Sequence, residues 1–84
     1  MTKEEFDKLI GKVVRLQMPG QPVQNLVVLI EGLSNATTNK WYDCIGEDHE
    51  DYDTRRITLN REEVISFEVL PENETLVWRI ENNV

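Results

Sequence analysis

The sequence predicts a mainly β fold, a short N-terminal helix followed by a small antiparallel barrel of five or six strands. Three observations lead there. Turn-forming residues recur roughly every 8–12 positions, the spacing of a small sandwich or barrel. The segments between them alternate apolar and polar residues, or run apolar throughout. The 84 residues, 39% hydrophobic and 30% charged, make one globular domain rather than several or a disordered chain.

The helix is expected over residues 3–10. Thr2 is an N-cap residue and Glu5, three positions on, completes a capping box. Phe6, Leu9 and Ile10 then share one face, Glu4 and Lys8 stand four apart, and Gly11 suits the C-terminal stop. The first strand is expected over 12–18, with Val14, Leu16 and Met18 on one face, and Pro19-Gly20 ends it. Residues 26–33 are apolar at nearly every position, which predicts a strand covered on both faces. Gly32 within it marks a bend or a close backbone approach. After a polar turn over 35–39, residues 40–45 form a third strand, Trp41 and Ile45 opposed to Tyr42 and Cys44.

An acidic loop spans 47–53, and a fourth strand is expected over 55–59. Asn60-Arg61-Glu62 is a tight connection to a fifth strand over 64–70, with Ile65, Phe67 and Val69 pointing inward. Pro71 to Glu74 reads as a turn, and Leu76, Trp78 and Ile80 as one face of a sixth strand over 75–80. Closing such strands into a barrel, or pairing their edges between subunits, removes exposed sheet edges. A chain this short buries only about 60–65% of its surface, so self-association adds stability.

Composition bounds the setting. No apolar run follows a basic start, so nothing reads as a signal peptide, and residues 26–30 are far too short to span a membrane. The single Cys44 cannot pair within the chain, which suits a reducing, cytoplasmic setting. The two glycosylation sequons, at Asn35 and Asn73, are then chance matches. The net charge of −7 repels anionic membrane and long duplex nucleic acid, but leaves room for a local basic pocket.

Two clusters are candidate sites. Lys40, Arg55, Arg56 and Arg61 are the densest cationic set, and Trp41 and Tyr42 lie beside them in sequence. Arginine forks bind phosphate, and aromatic rings stack on bases, so this set could hold a nucleotide or a short RNA. The plainer reading is that the arginines answer nearby acids while Trp41 and Trp78 are core. The second cluster is the loop's five carboxylates, Glu47, Asp48, Glu50, Asp51 and Asp53. It lacks the Gly and the distal Glu of a calcium loop. One imidazole, His49, among hard oxygen donors makes a poor transition-metal site. The loop is either a solvated surface or a docking surface for a basic partner. Cys44, between Asp43 and Ile45, has none of the basic surroundings a reactive thiol needs. No residue pattern supplies a catalytic pair, a metal site or a cofactor site, so a non-enzymatic protein is expected.

The run Leu9-Ile10-Gly11-Lys12-Val13-Val14-Arg15-Leu16 resembles the opening of Sm-like proteins. The run Ile57-Thr58-Leu59-Asn60-Arg61-Glu62-Glu63-Val64-Ile65-Ser66-Phe67-Glu68-Val69-Leu70 resembles their last two strands and the turn between them. The likeness covers residues 5–70 loosely. It implies a strongly bent five-stranded barrel that forms rings by pairing its fourth and fifth strands between subunits, and rings that bind RNA. The departures are specific. The family's Asp-x-x-x-Met-Asn signature is missing, with Asn39 the nearest match to its Asn, and Asn60-Arg61 stands where Arg-Gly is usual. An SH3-like barrel fits the same strand count.

The expected function is that of a self-associating binding module holding a small anionic ligand near Lys40, Trp41, Tyr42, Arg55, Arg56 and Arg61. The alternative is an acidic inhibitor or adaptor whose loop docks on a basic, nucleic-acid-binding protein. Small acidic solo domains of that kind resemble proteins carried by phages and mobile elements.

Overall fold

Thr2 opens the first helix as its capping box predicts. The Glu5 amide donates to the Thr2 hydroxyl at 3.2 Å, and the Thr2 amide donates back to the Glu5 carboxylate. In the computed structural model, which describes residues 1–34, 39–47 and 55–84, regular helix covers only Lys3–Asp7 (α1) rather than 3–10. Residues 8–11 continue as turns that end at Gly11, whose φ of +85° favours glycine. Phe6 and Leu9 are buried but Ile10 is 40% exposed, and the ion pair across the first turn is Lys3–Asp7 rather than Glu4–Lys8.

Five antiparallel strands follow: β1 (Val13–Met18), β2 (Gln24–Leu33), β3 (Trp41–Ile45), β4 (Arg56–Asn60) and β5 (Ser66–Val69). They form one sheet in the order β4-β3-β2-β1-β5. The fold is mainly β, as expected, but the sheet is not closed: β4 and β5 are its two edges. The register between β2 and β3 slips between Ile30 and Gly32, a bulge that bends the long strand. Nothing lies near enough to Gly32 to require a close approach, so the bend is the reading that holds.

Alternation sorts the side chains onto two faces. One face carries Val14, Leu16, Val28, Ile30, Tyr42, Cys44 and Leu59, closed at one end by Phe6 and Leu9. The other carries Val13, Leu29, Ile45 and Leu70, packed against Trp78.

Trp78 belongs to a helix. The strand expected over 75–80 and the turn before it are instead one helix, α2 (Glu72–Glu81). The apolar spacing at Leu76, Trp78 and Ile80 imitates a strand. The start signals overrule it: Pro71 fixes the entry, Glu72 and Glu74 favour the positive end of the helix, and Arg79 favours the negative end. Trp78 is the only buried residue of α2.

Candidate functional site

The six residues of the expected ligand set fall into three places around β3 and β4. Arg61 and Lys40 meet beyond one end of the pair, where the Arg61 amide donates to the Lys40 carbonyl at 2.8 Å. The Arg61 guanidinium donates to the Met1 carbonyl at 2.8 Å and the Asn39 carbonyl at 3.4 Å, tying the N-terminus to the sheet. Trp41 is half-buried, opposite Asn60 in the β3–β4 register. Asn60 caps a single 3-10 turn, Arg61–Glu63, by accepting from the Glu62 amide. This is the tight connection expected there.

Tyr42 occupies the second place, in the core. Its ring packs against Phe6 at a centroid distance of 4.5 Å, and its hydroxyl donates to the Asp7 carboxylate at 2.6 Å. Burial, then the bond to Asp7, pushes the hydroxyl up to about 12. Asp7 is held below its ordinary value, first by the Lys3 ammonium and then by Tyr42.

Arg56 opens the far end of β4, roughly 13 Å from Asn60 at about 3.3 Å per residue, and Arg55 directly precedes it. Arg55 is only 5% exposed and donates to the Asn82 carbonyl at 2.6 Å, just past the end of α2. Arg56 is exposed and pairs with Glu31 at 3.5 Å. Beside them lies a cavity of about 200 Å³, lined by Leu26, Val27, Gly46, Glu47, Arg55 and Ile57 among others. Glu47 is the one member of the expected acidic docking surface that the structure describes. Asp48, His49, Glu50, Asp51 and Asp53 lie outside the described residues.

The exposure of the core-side residues of β5, expected to point inward, was not foreseen. Phe67 pairs with Leu16 and Val69 with Val14, so both project on the core face. Ile65 continues the alternation. Yet Ile65, Phe67 and Val69 are 55%, 43% and 40% exposed, and among the described residues no further strand continues the sheet beyond β5. Alternation shows that they face the core; only strand order shows that the core ends there. The opposite face of this edge is polar and internally bonded. Arg15 pairs with Glu68 at 3.2 Å, and the Ser66 hydroxyl donates to the Gln17 side chain at 2.8 Å.

Cys44 is fully buried, and burial, followed by Asp43 and Glu31, raises its thiol to about 12. A thiol held protonated in this way is a poor nucleophile. No protein-family model, no curated protein and no solved structure matches the chain.

Proposed function

We propose that the protein is a non-enzymatic binding module that assembles with its own copies, β4 of one joining β5 of the next. The observation that carries this reading is the half-exposed core face at Ile65, Phe67 and Val69, on a strand with an unpaired edge. The two edges are complementary. Continuing the sheet from one copy to the next sets Ile57 and Leu59 beside Phe67 and Val69 on one face. It sets Arg56 and Thr58 beside Glu68 and Ser66 on the other. The strand order, with β4 and β5 outermost, supports the Sm-like resemblance, and heterologous joining of this kind gives rings when the rotation closes.

The bound molecule is a small anion such as a nucleotide, or a short RNA. The supporting feature is that exposed Arg56 stands at one end of the joining strand and Lys40 beyond the other, whereas Arg55 and Arg61 already hold the Asn82 and Met1 carbonyls. Native mass spectrometry of the gently purified protein tests both parts. A closed oligomer with a small additional mass is expected, and Phe67→Glu, at a position already 43% exposed, is expected to give folded monomer. Wild-type protein that stays a bare monomer at every concentration overturns the assembly.

A further inference from the structure

Helix α2 is apolar on two opposite sides. Its inner side carries Trp78 against the sheet. At the helical spacing of about 100° per residue, Leu76 and Ile80 lie on the side turned away, and Val77 flanks them. They are 57%, 54% and 77% exposed, and Val84, just past the helix end, is 39% exposed. A surface helix ordinarily carries polar groups there, and a contiguous apolar patch marks a place of interaction. The rims of the patch are acidic. Glu72 borders one side and Glu74 and Glu81 the other, all exposed, with Arg79 alone opposing them.

We propose that the outer face of α2 docks a basic amphipathic helix of a partner protein. The apolar stripe receives the partner's apolar face, and the two acidic rims receive its flanking lysines or arginines. The rims argue against other occupants. A second copy would bring Glu72, Glu74 and Glu81 against their own equivalents, in a chain of net charge −7. An anionic membrane meets the same repulsion. This surface uses other residues than the β4–β5 seam and does not depend on it.

The test is an NMR titration of the isotopically labelled protein with a synthetic Leu/Lys amphipathic peptide of about 14 residues, long enough to fold on docking. A Ser/Lys peptide of equal charge is the control. Shift changes are expected to centre on residues 72–84, with the Leu/Lys peptide binding at least about tenfold more tightly than the control. Ile80→Glu is expected to weaken binding about tenfold or more, and the more conservative Leu76→Ser to weaken it less. Both positions are more than half exposed, so the variants keep the fold, and circular dichroism checks this. Phe67→Glu is expected to bind the peptide unchanged, which separates this surface from the seam. Equal binding of both peptides, shifts centred on the sheet, or concentration-dependent shifts of 72–84 without peptide would each overturn the proposal.

Discussion

Asp7 and Tyr42 show how a surface acid becomes part of the core. Tyr42 is fully buried, and its hydroxyl needs an acceptor that the sheet does not supply. Asp7, at the end of α1, supplies it, so this bond joins the Phe6–Tyr42 ring contact in fixing α1 to β3. The pH behaviour follows from the two shifts. Asp7 titrates below its unfolded value, so its contribution to stability is complete above about pH 4 and is lost as pH falls through the lowered value. Tyr42 titrates above its unfolded value of 10.0, so its contribution is complete below about pH 10 and is lost as pH rises toward 12. Tyr42→Phe is therefore expected to raise the Asp7 value toward the ordinary carboxylate range. NMR titration of the Asp7 carboxyl carbon reads this directly, and an unmoved Asp7 would mean that the nearby cations, Lys3 first and then Arg61, hold it without Tyr42. The Asp7–Tyr42 partnership was not legible in the sequence. The capping box was, because its two residues are three apart, whereas Asp7 and Tyr42 are joined only by folding.

At the scale of elements, the strands were legible and the last helix was not. Residues whose neighbours in space are also strands, such as Leu16 between Leu26 and Phe67, carry their environment in their alternation. Helix α2 has a single buried residue, so its pattern had little to report, and the outer Leu76 and Ile80 on either side of the inner Trp78 supplied a false period of two. What holds α2 is Trp78 from within and Arg55 from its end. The Arg55 guanidinium meets the carbonyl-rich negative end of the helix, where a cation is favoured. Arg55→Met keeps most of the buried volume and removes the charge. It is expected to cost about 2 kcal/mol in urea unfolding, the scale of a hydrogen bond from a charged donor. Hydrogen exchange should quicken first at residues 78–82. A loss below about 0.5 kcal/mol would show that Arg55 is packing rather than anchor. The cationic set was therefore legible as residues but not as an arrangement, since Arg55 and Arg61 end at opposite ends of one strand.

The whole molecule is as dense as a closed domain, although its sheet is open. Its radius of gyration is 12.4 Å, against about 12 Å expected for this length. Both β4 and β5 are edges, and at β5, a strand only four residues long, apolar core-side groups meet solvent. Two forces act when copies meet there. Burial of Phe67, Val69 and Ile65 favours joining. The net charge of −7 on each copy opposes it, over a range set by salt, about 10 Å at 0.1 M. Arg56 and Glu68, already paired within the chain with Glu31 and Arg15, add little to the proposed seam, since exposed ion pairs contribute only about 0–1 kcal/mol. Screening therefore weakens the repulsion more than the attraction, and added salt is expected to promote assembly. Sedimentation velocity from about 20 to 200 mM sodium chloride, a range over which the screening length falls roughly threefold, should show a shift from smaller to larger species. Phe67→Glu should stay monomeric throughout. Dispersal by salt would mean that the seam is held by ion pairs, and the apolar edge of β5 would lose its role in assembly.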